Sequence, residues 1–221
     1  MNRHVIITAG GVGKRMGSLL PKQFIRLNGL PILQHTINRF RDVCPGINTI
    51  VTLPLDHITT WKNICEELNI KIDYEIAVGG KERFYSIRNG LRFITDDGIV
   101  GIHDAVRPFV SSETIERCYM AAEISGAAVP AIEIQESIRK ISEIGSEHVN
   151  RHDYRIVQTP QCFDINIIKK AYQSDFDPAF TDDASVVEAS GVSIKLVDGN
   201  NENIKITYQN DLVFAETLLT E

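Results

Sequence analysis

Apolar positions along this chain follow two alternating rhythms. Compact runs read as strands: Val5-Ile6-Ile7, Thr49-Ile50-Val51-Thr52-Leu53, Tyr74-Glu75-Ile76-Ala77-Val78, Ile99-Val100-Gly101-Ile102 and residues 127–134. Between them lie helical stripes. Leu33, Ile37 and Phe40 stand at i, i+4 and i+7, with Pro31 placed for a first helical turn. Ile58, Trp61, Cys65 and Leu68 form a second stripe, Phe84, Ile87, Leu91 and Ile94 a third, and Ile115, Cys118, Tyr119 and Ala122 a fourth. Strand–helix alternation predicts βαβ units in an α/β, three-layer fold with a mainly parallel sheet. Ligands of such sheets bind outside the carboxyl ends of the strands.

The rhythm breaks at about 135–160, a polar and charged stretch without a 3.6-residue stripe. A functional loop, a hairpin or a disordered insert would each account for it. Helical signal returns with Asp164 as an N-cap before Ile165, Ile168 and Tyr172, then at residues 182–189 and 209–219. No repeat or linker interrupts the chain, so residues 1–221 read as one domain with an excursion.

Composition narrows the function. The chain has 23 Lys+Arg against 29 Asp+Glu, a net charge of −6, where a general nucleic-acid or anionic-membrane binder would be basic. Its four cysteines, at 44, 65, 118 and 162, form no C-x-x-C, which argues against zinc or a disulfide framework. No apolar run reaches membrane length, and the N-terminus enters a strand without a signal-peptide pattern. The expectation is a soluble cytoplasmic protein.

The chemistry begins after the first strand, in Thr8-Ala9-Gly10-Gly11-Val12-Gly13-Lys14-Arg15-Met16-Gly17. Glycines let backbone approach a phosphate, and a following helix start offers free N–H donors. A Walker A loop would need a hydroxyl where Arg15 stands, and G-x-G-x-x-G would need glycine at Met16. A tight turn remains a possible reading of the glycines alone. Arg15 and Lys22 point instead to a nucleotide triphosphate, which needs donors and compensating charge. Asp104, at the carboxyl end of the fourth run, suits Mg²⁺ held together with substrate phosphates, or else an ion pair with Arg107. His103 beside it suits packing or a structural hydrogen bond.

The loop with Pro21-Lys22-Gln23 resembles the signature of nucleotidyltransferases that act on sugar phosphates. Further motifs follow in order: Gly79-Gly80-Lys81-Glu82-Arg83 before Ser86, His103-Asp104-Ala105-Val106-Arg107-Pro108, Thr159-Pro160-Gln161, Thr181-Asp182-Asp183-Ala184-Ser185 and Asn203-Ile204-Lys205-Ile206-Thr207. Together they resemble the 2-C-methyl-D-erythritol 4-phosphate cytidylyltransferase family over essentially the whole chain. The resemblance implies a Rossmann-like nucleotidyltransferase fold with a protruding β-arm. It also implies CTP as co-substrate and a divalent cation such as Mg²⁺ on Asp104.

By the same resemblance, Ala9, Gly10, Gly11, Gly13, Gly80, Lys81 and Ser86 hold the nucleotide, with Arg15 and Lys22 at its phosphates. Arg107, Ser137, Thr159 and Thr181 serve the substrate, and Arg151 and Lys205 position the acceptor. The arm at about 135–160 would reach across a homodimer. Lys81 stands where the family often has Asp, and Ser137 where Thr is usual. Arg83 reads equally as a site residue or as a surface helix residue.

A phosphate monoester acceptor has a second pKa of about 6 and can attack CTP without a protein base. Arg15, Lys22, Arg151 and Lys205 are therefore expected to position groups and stabilise charge. Ribitol-5-phosphate cytidylyltransferases share several of these motifs. Asn150-Arg151 and Thr181-Asp182-Asp183-Ala184-Ser185 favour the methylerythritol phosphate family. A nucleotide-binding regulator that had lost catalysis would be expected to lack Arg15, Lys22, Asp104 or Lys205.

Overall fold

The first strand sets the frame of the computed structural model, which describes residues 1–11 and 20–219. In β1 (Arg3–Thr8), Val5 and Ile7 turn to one face of a sheet and Ile6 to the other, all fully buried. A strand covered on both faces belongs at the centre of a three-layer fold. Each such side chain contributes about 1.5–3 kcal/mol by leaving water.

Parallel neighbours flank β1, with β4 (Asn48–Leu53) on one side and β6 (Ile99–Asp104) on the other. Beyond β4 lies β5 (Glu75–Val78), also parallel. Past β6 come β11 (Gln161–Asp164), β7 (Ala127–Glu133) and β12 (Lys195–Asp198). Helices α1 (Ile32–Val43), α2 (Leu55–Glu67) and α4 (Ser112–Ser125) pack on one face through the expected stripes. On the other face lie α3 (Arg83–Leu91), α5 (Ile165–Ala171) and α6 (Asp183–Ala189). Pro31 takes the N-cap position one residue before α1, and Ile94 is buried just past the end of α3.

A third, smaller cluster joins the short hairpin β2 (Arg26–Leu27) and β3 (Leu30–Pro31) to α7 (Gln209–Leu218). Asp164 caps α5 as expected, accepting from the N–H groups of Asn166 and Ile167. Asp182 does the same for α6 through Ser185 N–H. No described helix is long and apolar enough to cross a membrane. The four cysteines are buried free thiols.

The sheet departs from a uniformly parallel one where the helical rhythm fails. A parallel return from β7 would need a crossover of a dozen or more residues, usually helical. Residues 135–160 supply no helix of that kind, and the chain comes back antiparallel as β10 (Arg155–Val157) and then β11. The expected excursion is therefore shorter than 135–160. Its regular part is a hairpin of β8 (Arg139–Ser142) and β9 (Gly145–His148), which pair with each other alone and are exposed throughout.

Candidate active site

Thr8 and Asp104 are register partners at the carboxyl ends of β1 and β6, and a cavity of about 320 Å³ opens there. Ala9, Gly10, Gly11, Lys22, Gly80, Lys81, Ser86, Asp104 and Lys205, all expected from sequence, line it. Gly13 and Arg15 lie outside the described residues. Arg107 and Thr159 stand behind the wall, each bonded to Asp104. Ser137 and Arg151 are exposed on the hairpin segment and do not line the cavity. Thr181 lines a neighbouring cavity of about 440 Å³, which shares Glu82 and Arg83 with the first.

The Pro-Lys-Gln-Phe segment is anchored by its apolar end. Phe24 is buried and stacks on Trp61, with centroids 5.4 Å apart. That fixes the short 3-10 turn at Lys22–Phe24. Gln23 Nε2 donates to Ala9 O at 2.8 Å, and the buried Lys22 ammonium donates to Ile206 O at 3.0 Å. One cation is thus held beside the start of the glycine loop.

Two kinds of glycine meet at this cavity. A Cβ on Gly80 would lie 2.3 Å from Tyr85 Cβ, so packing alone excludes a side chain there. A Cβ on Gly10 would meet nothing within 4 Å among the described residues, and neither Gly10 nor Gly11 has a positive φ. Bare backbone of this kind lets a phosphate approach closely. Ser86 Oγ accepts from Gly80 N–H at 3.0 Å and donates to Glu82 O at 3.2 Å, holding the second loop in shape.

Asp104 is the electrostatic centre. Its carboxylate meets Lys205 Nζ at 3.0 Å, Arg107 Nε at 3.2 Å and Arg83 Nε at 3.9 Å. Burial alone would raise its pKa, but Arg83, Lys205 and Arg107 overturn that and hold it well below the usual carboxylate range. Arg83 also closes a two-pronged pair on the fully buried Asp183, at 2.8 and 2.7 Å. Tyr172 donates its hydroxyl to the same carboxylate at 2.5 Å. Arg107 donates to Asn203 O at 2.7 Å, and Asn203 Nδ2 donates to Thr159 O at 2.8 Å.

Behind Asp104, the fully buried His103 packs edge-on against Phe40. Burial pushes its pKa down to about 4, so it is neutral at pH 7. Its Nε2 faces Arg107 O at 3.0 Å and must carry the proton, leaving Nδ1 to accept from the Thr159 hydroxyl at 3.0 Å. Thr159 Oγ1 in turn accepts from Asp104 N–H at 3.2 Å. His103 and Thr159 thus brace Asp104 from the core, and Thr159 is not presented to the cavity. Gln161 donates to Asp182 Oδ2 at 2.8 Å and accepts from Ala184 N–H at 2.9 Å, seating the N-terminus of α6.

The structure places Arg83, which sequence left open between site and surface, on the cavity wall, and adds Asp183 as its buried partner. Asp183 lies inside the Thr-Asp-Asp-Ala-Ser motif, one residue after the N-cap Asp182 and beside the apolar positions Ala184, Val186 and Val187, which was the available signal for a buried carboxylate with a cation partner.

Comparison with known proteins agrees with this geometry. A family model described as 2-C-methyl-D-erythritol 4-phosphate cytidylyltransferase matches residues 3–221. Proteins of that name from Phocaeicola vulgatus and Bacteroides fragilis are 48% and 49% identical over 219 residues, spanning 99% of this chain and 100% of each relative. The crystal structure of a 4-diphosphocytidyl-2C-methyl-D-erythritol synthase from Anaerococcus prevotii superposes with a TM-score of 0.83 at 28% identity, covering 100% of this chain and 99% of that one. The 2-C-methyl-D-erythritol 4-phosphate cytidylyltransferase structure from Thermus thermophilus gives 0.80 at 30% identity, with full coverage of both chains.

Proposed function

The chain belongs to the 2-C-methyl-D-erythritol 4-phosphate cytidylyltransferase family, and from that membership we propose the reaction run at the Asp104 cavity. The enzyme transfers CMP from CTP to 2-C-methyl-D-erythritol 4-phosphate and releases pyrophosphate, a step of isoprenoid biosynthesis. The observation that carries the assignment to this cavity is the pairing of bare glycines and the buried Lys22 on one wall with Asp104 and Lys205 on the other.

The acceptor phosphate, dianionic near neutral pH, supplies its own nucleophilic oxygen. A bond forms from that oxygen to the α-phosphorus of CTP. The bond from the α-phosphorus to the bridging oxygen breaks, and pyrophosphate carries off the electron pair. No protein base is required, and His103 is sealed behind the wall with both ring nitrogens engaged. Ala9, Gly10, Gly11 and Lys22 bind the triphosphate, together with Gly13 and Arg15 of the same loop. Gly80, Lys81 and Ser86 bound the cytosine end. Charge compensation in a partly enclosed site, rather than proton transfer, lowers the barrier.

Asp104 is suited to a divalent cation such as Mg²⁺. It is a hard oxygen donor, ionised and facing the cavity, and it already carries a cationic partner in Lys205. No described cluster of three His, Cys, Asp or Glu could hold a metal unaided, which suits an ion whose other ligands are substrate phosphates. Bound there, the ion would neutralise phosphate charge.

Ser137, Arg151 and Thr181 sit off the cavity wall of this chain. That fits an acceptor pocket completed by a second copy, with Arg151 binding the acceptor phosphate across a homodimer formed through the 139–148 hairpin. Arg107 acts through Asp104, and Lys205 aims the acceptor. The enzyme works in the cytoplasm, where CTP is available.

The test is a matrix of CTP, UTP and GTP against methylerythritol phosphate and ribitol 5-phosphate, read as pyrophosphate release. CTP with methylerythritol phosphate should dominate. Dominance of ribitol phosphate, or CTP binding without release for either acceptor, would overturn the assignment.

A further inference from the structure

We propose that the Lys205 ammonium is a resident stand-in for the divalent cation at Asp104, so that metal and lysine exclude each other there and metal entry releases Lys205 toward the acceptor. The inference rests on the reading of the cavity as a metal–nucleotide site.

Among the described residues three cations face the Asp104 carboxylate, and they are not equivalent. Arg83 is tied by two bonds to the fully buried Asp183. Arg107 is tied to Asn203 O, with its side chain only 13% exposed. Neither can leave without stranding a buried partner, a costly change. Lys205 has a side chain 47% exposed, and Asp104 is its one ionic partner among the described residues. Its backbone, by contrast, is pinned: Ile206 N–H donates to Val106 O at 3.0 Å, and Thr207 Oγ1 donates to Lys205 O at 3.0 Å. A fixed backbone with a single-tethered, flexible four-carbon stem is built to pivot.

Asp104 Oδ2 already accepts from both Lys205 and Arg107. A metal ion reaching that oxygen from the cavity must take the place of the group nearest the cavity, and Lys205, on the wall itself, is that group. Arg107 lies behind. Lys205 would then be present at the carboxylate before the nucleotide arrives and available to the acceptor phosphate only afterwards. Coupling of this kind is reciprocal, so an acceptor phosphate that captures Lys205 would in turn tighten the metal.

The experiment measures metal affinity, not turnover. Mn²⁺ is titrated into the full-length enzyme with the non-transferable α,β-methylene analogue of CTP, and free Mn²⁺ is read by electron paramagnetic resonance. Lys205→Met should lower the Mn²⁺ Kd about 5-fold or more, since the competing cation is gone. Lys205→Arg, which keeps a cation, should stay within about 2-fold of wild type, as should Lys62→Met, which removes an exposed cation of α2 outside the cavity. Circular dichroism verifies the fold of each variant. An unchanged or weaker Mn²⁺ affinity in folded Lys205→Met overturns the proposal. So does an equal gain in Lys62→Met, which would mark a general effect of net charge. Failure of the wild type to bind the nucleotide analogue at any metal concentration would instead overturn the underlying assignment of the cavity.

Discussion

Arg83 and Asp183 stand 100 positions apart in the chain and close a two-pronged ion pair at 2.8 and 2.7 Å, joining the start of α3 to the start of α6 at the cavity edge. The pair is built on a carboxylate with no solvent exposure. Arg83→Met leaves that charge with the Tyr172 hydroxyl as its remaining partner among the described residues, and should lower unfolding free energy by about 3–5 kcal/mol in urea titrations. A loss below about 1 kcal/mol, the range of surface pairs, would show that Asp183 is solvated instead.

The two glycine classes predict opposite profiles. Gly80→Ala collides with Tyr85, and should cost about 1–3 kcal/mol of stability. Gly10→Ala meets nothing within 4 Å among the described residues, and should leave stability within about 0.5 kcal/mol while weakening CTP binding. Calorimetry of CTP binding beside thermal melts separates the cases. Normal CTP affinity in Gly10→Ala would remove the loop from phosphate recognition.

Lys22→Ala should lower kcat by about 10²-fold or more, the scale of losing one transition-state donor. Its ammonium also holds Ile206 O, so a melt should accompany the kinetics. A folded variant with near-normal kcat would exclude Lys22 from the transition state.

His103 predicts a pH slope in stability. Its folded pKa, depressed by burial from 6.5 to about 4, means that the unfolded chain binds the extra proton first. The contribution is complete above about pH 6.5 and is lost as pH falls toward 4, amounting to about 3 kcal/mol. The buried His4, also shifted down by burial, adds a contribution of the same sign. Urea titrations in EDTA at pH 7 and pH 4.5 should show His103→Gln losing less stability than wild type across that interval. Parallel losses would mean that His103 is charged in the native state.

Arg151→Ala should raise the acceptor KM or reduce turnover while CTP affinity stays nearly intact. If the residue acts across a dimer, mixing the impaired Arg151→Ala and Lys22→Ala chains at limiting acceptor should restore up to about a quarter of the wild-type rate, since random pairing leaves some dimers with one complete site. No recovery on subunit exchange would place both residues in one chain's site.

Much of this arrangement was legible before the structure. The strands and the four stripes declared themselves because β1, β4 and β6 are buried on both faces and their helices on one. The cavity wall followed from motif order, since parallel strands deliver consecutive motifs to one edge. What stayed hidden depended on chain segments meeting at a distance. The antiparallel return of β11 is decided by the missing crossover helix, which composition marks only as an irregular stretch. Arg83 read equally as a surface residue because its partner lies in another motif. Thr159, expected at the substrate, turns out to bridge His103 and the Asp104 amide, a role that a threonine's identity alone cannot announce.

The bond from Lys22 to Ile206 O spans 184 positions, and the knot at Asn203 ties the same C-terminal segment to Arg107 and Thr159. The cavity is therefore sealed from both ends of the chain. A polypeptide still emerging from the ribosome can carry the whole glycine loop, yet it lacks this part of the cavity wall until the segment 203–206 is made. A chain cut before Asn203 would lack Lys205 and the Ile206 carbonyl that holds Lys22, two parts of the wall that the central sheet cannot supply.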